Sequence, residues 1–378
     1  MTKRVGIIGG GQLAAMMAIA AKSLNISIVI QTANISDPAT SLADMTILGE
    51  VTDVEATAEL AKITDVITFE NEFVDLEKLD ALAKSGTEFI PSLDALKPLL
   101  DKYTQRTYLQ EHGIPVPQFF PIETETDLIK QPLAYPLVLK ARRNGYDGQG
   151  TRIVSSESEL LEAWQSMGKV PALVEEKVNF KSELAVIIAR SVTGDCLVYP
   201  VVETHQVNQV CTDVIAPARI RDAIAHEVQD IAKAIANSLN AVGILGIEYF
   251  LTPDGKVSVN EIAPRTHNSG HYTIEACHTS QFEQLLRIVT KIPLGDISMR
   301  SPVAVMVNLL GYENRGSDYQ KIRHQLEQLP NCYVHWYGKN SSKLGRKLGH
   351  VTILKEDYQD IDLLISTINA IWQPQKSL

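Results

Sequence analysis

Residues 246–262, Gly-Ile-Glu-Tyr-Phe-Leu-Thr-Pro-Asp-Gly-Lys-Val-Ser-Val-Asn-Glu-Ile, constrain the fold more than any other stretch of the chain. Asp254-Gly255 between two β-rich runs is the strong short-range signal for a two-residue hairpin turn. That turn pairs Pro253 with Lys256, Leu251 with Ser258, and Glu248 with Glu261. The two glutamates then face each other among Ile247, Phe250, Val259 and Ile262. Opposed like charges on neighbouring strands repel, and in an apolar setting one must take up a proton or share a cation. A hard divalent ion meets that need, because Mg²⁺ prefers one or two carboxylates together with phosphate oxygens and water. The competing reading is two solvated glutamates on an edge face, and a one-residue slip of register would separate the pair.

Two glycine-rich turns lie upstream. The strand Pro136-Leu137-Val138-Leu139-Lys140 leads through Arg142 and Arg143 into Asn144-Gly145-Tyr146-Asp147-Gly148-Gln149-Gly150-Thr151. Glycines let backbone N–H groups wrap phosphate oxygens, and a lysine at a strand end offers a point charge to the same group. No Gly-Lys-Ser/Thr follows, which excludes a P-loop NTPase, and a plain hairpin tip is the alternative. The first turn, Gly9-x-Gly11-x-x-Ala14, follows the strand Val5–Ile8 and opens a helix over Gln12–Leu24. It admits three readings: a dinucleotide site, a seat for another ligand's phosphate, or a structural turn. A dinucleotide site also wants an acidic residue after the second strand, where Ile30 is followed by Gln31-Thr32-Ala33.

At 378 residues the chain has room for two or three domains. Lys and Arg number 35 against 45 Asp and Glu, and the net charge of −10 argues against nucleic acid or anionic lipid as the main partner. The four cysteines show no ligand-like spacing, so neither a disulfide framework nor a zinc site is expected, and a reducing cytoplasm is the simple reading. No 18-residue apolar span predicts a membrane helix. Strands and helices alternate through residue 97 as a parallel sheet requires. Ser280 and Glu283 predict a capping box for a helix through Val289. The polar loop Ala263–His271 follows the second glutamate at once, and a late basic cluster holds Lys339, Arg346 and Lys347.

In this order the phosphate loop, paired glutamates and Asn260-Glu261 resemble the ATP-grasp superfamily. More narrowly, the chain is similar to the N5-carboxyaminoimidazole ribonucleotide synthetase family. The match covers Gly9–Leu13, Thr68–Glu72, Gly145–Gly148, Asn260–Arg265, His267–His271 and Gly345–His350. The resemblance implies an α/β ATP-grasp fold: a Rossmann-like N-terminal domain over 1–98, an ATP-grasp domain over 99–297 with a lid about 113–185, and a C-terminal domain over 298–378. It implies a cytoplasmic, homodimeric ligase that forms a C–N bond in purine synthesis. ATP would activate bicarbonate as carboxyphosphate, and 5-aminoimidazole ribonucleotide would be carboxylated.

By the same resemblance, Lys102, Lys140 and the loop Gly145, Tyr146, Asp147, Gly148, Gln149, Gly150 and Thr151 hold ATP phosphates. Glu175, Glu176, Lys177 and Val178 line the adenine pocket, Glu183 takes the ribose, and Gln206 or His205 completes the nucleotide site. Glu248 and Glu261, with Asn260, hold Mg²⁺. Gln12, Glu72, His267, Asn268, Ser269, Lys339 and Arg346 bind the ribonucleotide, and Tyr146, Asp147, Arg265, Lys339 and Arg346 form the catalytic set. The chain departs from the family pattern at Asn144, Gln149, Asn71-Glu72-Phe73 and Thr204-His205-Gln206. Competing readings are a formate-using ligase of the same superfamily, an NAD-dependent oxidoreductase on the first glycine turn, and a catalytically silent nucleotide binder.

Overall fold

The computed structural model describes residues 2–143, 150–316 and 318–373. The first unit is a parallel sheet of β1 (Arg4–Ile8), β2 (Ser27–Thr32), β3 (Met45–Leu48) and β4 (Val66–Phe69), in the order β3-β2-β1-β4. Around it lie α1 (Gln12–Ala21), α2 (Val54–Ile63), α3 (Leu76–Lys84) and α4 (Leu93–Leu96). Asp53, Asp75 and Ser92 each cap the helix that follows with a side-chain oxygen, so local chemistry places these starts. Helix α1 buries Leu13 through Ala18, as a helix without a polar face must.

After α5 (Lys102–Glu111) come β5 (Phe119–Ile122), α6 (Glu125–Lys130), β6 (Leu137–Ala141), β7 (Thr151–Val154), α7 (Glu157–Ser166) and β8 (Ala172–Glu176). Their strands form an antiparallel sheet in the order β5-β8-β6-β7 over a small core containing Leu139, Leu160 and Trp164.

The third sheet is built from β9 (Ser182–Arg190), β10 (Cys196–Val198), β11 (Val202–Val207), β12 (Val210–Ala216), β13 (Gly243–Leu251), β14 (Val257–Ala263), β15 (Val303–Leu310), β16 (Cys332–Trp336) and β17 (Lys347–Lys355). It is antiparallel, in the order β14-β13-β9-β11-β12-β15-β17-β16, with β10 on β9. The sheet therefore extends across the expected boundary at 298, because β15 from beyond it pairs with β12. Helix α8 (Asp222–Ser238) packs on one face against Leu184, Val186 and Tyr249. Helices α9 (Thr273–Ala276) and α10 (Gln281–Val289) pack on the other, where α10 also meets α1 and joins the first unit to the large sheet. Helices α11 (Gln320–Glu327) and α12 (Ile361–Trp372) close the last core.

The predicted capping box of α10 is half formed. Ser280 Oγ accepts from the Glu283 backbone N–H at 3.2 Å, but the Glu283 carboxylate turns to Arg287 Nε at 2.9 Å. An intrahelical ion pair one turn away outcompetes the return bond to the cap. All four cysteines are free thiols. No helix among the described residues is long and apolar enough to cross a membrane.

Trp372 anchors the C-terminal core. It is 1% exposed, packs against Tyr319 and Tyr312, and donates from Nε1 to the Leu310 carbonyl at 2.7 Å. Trp372→Ala is expected to lower unfolding free energy by about 3–5 kcal/mol in a urea titration. A loss below ~1 kcal/mol would contradict this role.

Candidate active site

Strands β13 and β14 pair Glu248 with Glu261, as expected, but by another route. Leu251 pairs with Val257 instead of Ser258, and Thr252 N–H donates to the Lys256 carbonyl, so the loop has three residues and ends on Gly255 at φ +86°. A turn closed by a left-handed glycine is the next commonest hairpin connection. It shifts the register by one residue, and an irregularity between Glu248 and Tyr249 shifts it back. The extra residue is Asn260. Along β14 burial alternates to Val259, then Asn260 and Glu261 are both partly exposed before Ile262 is buried. Bulges re-aim side chains in this way, and here the bulge sets an amide and a carboxylate side by side.

The Asn260 amide donates to Glu248 Oε2 at 3.4 Å and its oxygen accepts from Lys140 Nζ at 3.2 Å. Lys102 Nζ lies 2.7 Å from Glu261 Oε2. Burial, with Glu261 and Glu183 close by, pushes Glu248 up to about 7. Burial likewise pushes Glu183 up to about 7. Burial of Glu261 is outweighed by Lys102, which holds its carboxyl below the usual range. His267 Nε2 is 3.7 Å from Glu248 Oε1, and a Cβ on Gly246 would come within 2.4 Å of His267 Cβ, so the approach requires glycine there.

Helix α5 organises the rest, and of its residues the resemblance singled out Lys102 alone. Lys102 and Arg106 are one turn apart and share a face. Arg106 Nε donates to Glu175 Oε1 at 2.6 Å, and Lys140 Nζ lies 2.6 Å from Glu175 Oε2. These two cations outweigh the cost of burial and take Glu175 down to about 2. The Glu175 carboxylate thus faces the cations. Gln105 bonds the Ile262 backbone on both its N–H and carbonyl, at 3.0 and 3.2 Å. Asp101 caps the helix and accepts from Arg142 Nε at 2.9 Å. Elsewhere, Glu176 Oε1 accepts from the Gln118 N–H at 2.9 Å, Lys177 is exposed and Val178 partly buried.

At the first glycine turn the helix N-terminus is filled from within. The Glu70 carboxylate lies beside the Gly11 and Leu13 N–H groups, whose dipoles favour its charged form, and a Cβ on Gly11 would meet Glu70 Oε1 at 2.4 Å. An internal carboxylate occupies the seat that sequence reading left open for phosphate, and Gln12 begins α1 beside it. Burial raises the Glu70 pKa despite Arg265 nearby. Arg265 grips Glu72 through two nitrogens, Nη2 at 3.0 Å and Nε on the other oxygen, tying the first sheet to the strand-β14 end of the site.

The loop after Arg265 is held from behind. Gln281 donates to the His267 carbonyl at 2.7 Å and accepts its N–H at 2.9 Å. His267 Nδ1 and Ser269 Oγ are 2.9 Å apart, and the amides of Asn268 and Asn308 bond each other at 3.0 and 2.7 Å. Lys339 and Arg346 occupy the β16–β17 connection, Lys339 Nζ 5.7 Å from the Tyr337 ring and Arg346 donating to the Ser341 carbonyl at 3.0 Å. Lys347 contributes positive charge near Glu248. Gly145, Tyr146, Asp147, Gly148 and Gln149 lie outside the described residues, whereas Gly150 and Thr151 lead into β7. No group of three or more His, Cys, Asp or Glu among the described residues could hold a metal. The opposed glutamates Glu248 and Glu261 repel each other, a cation between them would relieve that repulsion, and a two-carboxylate donor set fits Mg²⁺.

The His205 ring lies between Asp213 and Glu203, 2.9 Å from Glu203 Oε1, and alternation along β11 sends Gln206 to the other face, with Thr204 and its partner Glu183. Asp213 first, and then Glu203, raise His205 to about 10. A histidine raised from 6.5 stabilises fully below pH 6.5 and loses that contribution as pH climbs through 10. The stability difference between wild type and His205→Gln, from urea unfolding, is therefore expected to shrink steadily across that interval; a constant difference would refute the pairing.

Three regions match described families: the ribonucleotide synthetase preATP-grasp domain over residues 1–98, the ATP-grasp domain over 107–282, and the phosphoribosylaminoimidazole carboxylase C-terminal domain over 304–362. The N5-carboxyaminoimidazole ribonucleotide synthase of Synechococcus elongatus is 49% identical, across 98% of this chain and 95% of its own. Carboxyaminoimidazole ribonucleotide synthase from Aspergillus clavatus complexed with ATP superposes with TM-score 0.93 at 34% identity, covering 99% of each chain. The Aspergillus enzyme in complex with ADP and 5-aminoimidazole ribonucleotide gives TM-score 0.91 at 32% identity, again covering 99% of each chain.

Proposed function

Because the chain belongs to the N5-carboxyaminoimidazole ribonucleotide synthase family of ATP-grasp enzymes, we propose that its cleft between β6, β8, β13 and β14 performs that family's reaction with the residues described above. The protein is a ligase that binds ATP and carboxylates 5-aminoimidazole ribonucleotide in purine biosynthesis. Bicarbonate is the carbon source in this reading, activated as carboxyphosphate before its carbon reaches the exocyclic amine, with ADP and phosphate released. The observation that carries the residue assignment is the opposed pair Glu248 and Glu261, flanked by Asn260, Lys102 and Lys140.

Glu248 and Glu261 would hold Mg²⁺, which supplies neutralisation of charge on the transferring phosphoryl group. The chain's own groups do the remaining work. Lys140 reaches from β6 toward the same face, and Lys102, once Glu261 serves a cation, is available to a phosphate oxygen. Gly150 and Thr151, which lead into β7, border the phosphates in this reading, and exclusion of water from the site would protect an intermediate prone to hydrolysis. Glu176, Lys177 and Val178 border the base, and Glu183 and Gln206 the ribose. Gln12, Glu72, Arg265, His267, Asn268, Ser269, Lys339 and Arg346 surround the ribonucleotide. Of these, Arg265 is a fixed, desolvated cation, since Glu72 orients it and raises its pKa despite burial.

The same reading divides the chain at about 98 and 298, and it includes a cytoplasmic homodimer. Free thiols suit a reducing compartment.

The test is ADP release with Mg-ATP and bicarbonate, with and without 5-aminoimidazole ribonucleotide. Release is expected to depend on the ribonucleotide; indifference to it would count against the substrate assignment. Glu261→Gln should abolish turnover, by about 10³-fold or more as expected on losing a charge-stabilising group, with an unchanged far-UV spectrum. Wild-type turnover in that variant would sink the metal assignment.

A further inference from the structure

Arg106, Glu175 and Lys140 form a closed charge system that the reaction does not by itself require. The side chains of Arg106 and Glu175 are each 3% exposed, and that of Lys140 12%. One carboxylate divides its two oxygens between two cations, each at 2.6 Å, so the group carries one positive charge in excess. That surplus charge of Lys140 also acts on the nearby Glu261 and Glu183, and it is available to an anion once those carboxylates serve a cation. Lys102 does not compete for this carboxylate, since its ammonium is on Glu261. Lys140 points its remaining capacity at Asn260, toward the opposed glutamates.

We propose that Arg106 is a positioning residue for ATP binding: by neutralising Glu175 from beneath, it leaves the charge of Lys140 uncancelled for a phosphate. Without Arg106, Glu175 and Lys140 become a neutral pair, and an incoming phosphate competes with a buried carboxylate for the lysine. Arginine suits the position because it stays charged when desolvated and gives a fixed planar fork. Its place one turn after Lys102 lets a single helix face aim both cations, one at each carboxylate. The inference rests on the reading that Lys140 takes an ATP phosphate.

The experiment is calorimetric titration of the full-length protein with Mg²⁺ and a non-hydrolysable ATP analogue, together with KM for ATP and for 5-aminoimidazole ribonucleotide. Arg106→Met should weaken analogue binding by about tenfold or more, the scale of one charge-assisted contact, and raise KM for ATP while leaving KM for the ribonucleotide unchanged. Arg106→Lys, which restores the charge, should recover most of the loss. Arg106→Met combined with Glu175→Gln again leaves Lys140 as the surplus charge, and should bind within about threefold of wild type. Should Arg106→Met fail to fold by circular dichroism, the double variant decides alone, because it removes both buried partners together. Wild-type affinity in Arg106→Met, or a loss beyond about tenfold in a folded double variant, would overturn the role of Arg106. Absence of analogue binding to the wild-type protein would overturn the ATP reading itself.

Discussion

Four carboxylates of an acidic chain, Glu175, Glu183, Glu248 and Glu261, converge on one cleft, and the electrostatic cost of that convergence governs the architecture around it. Each is met differently. Glu175 is overmatched by two cations, Glu261 is held by Lys102, and Glu248 and Glu183 are left with pKa values raised toward neutrality. Carboxylates raised toward neutrality beside buried cations suit the joint arrival of a cation and an anionic nucleotide, which relieves both signs at once.

The surrounding elements keep these charges in register. Helix α5 delivers Asp101, Lys102, Gln105 and Arg106 to four different partners within about one turn and a half, so a modest rotation of that helix would disturb all of them. From the other side, Arg265 on Glu72 fastens the N-terminal sheet to the end of β14, and Asn308 on Asn268 fastens the C-terminal strands to the loop that follows. Nine strands across one sheet give these ties a common frame. Behind the loop, the buried rings of His271 and His350 meet at a tilt with centroids 4.9 Å apart, and burial pushes both well below the ordinary histidine pKa.

Much of this was legible in the amino-acid order. Opposed glutamates follow from an Asp-Gly turn and a period of two, and the strand–turn–helix opening from its glycines and apolar run. The hairpin shows how such reading can reach the right pair through a wrong turn: the three-residue loop and the bulge at Asn260 each shift the register by one, and the shifts cancel. Neither is visible in a two-residue turn signal, yet the bulge is what places Asn260 beside Glu261. The first glycine turn was ambiguous for a related reason. Its backbone donors suit any anion, and the carboxylate beside them, Glu70, comes from just past the end of β4, distant in sequence.

Local chemistry alone therefore determined the strands, the helix starts and the residue types able to hold phosphate and a hard cation, because hydrogen-bonding turns, caps and side-chain periodicity act over a few neighbouring residues. Only the tertiary structure decided which charges meet: Arg106 on Glu175 across 69 residues, Lys102 on Glu261 across 159, and Arg265 on Glu72 across 193. Coulomb interactions depend on distance in space and on desolvation, and neither quantity exists until the sheets have packed.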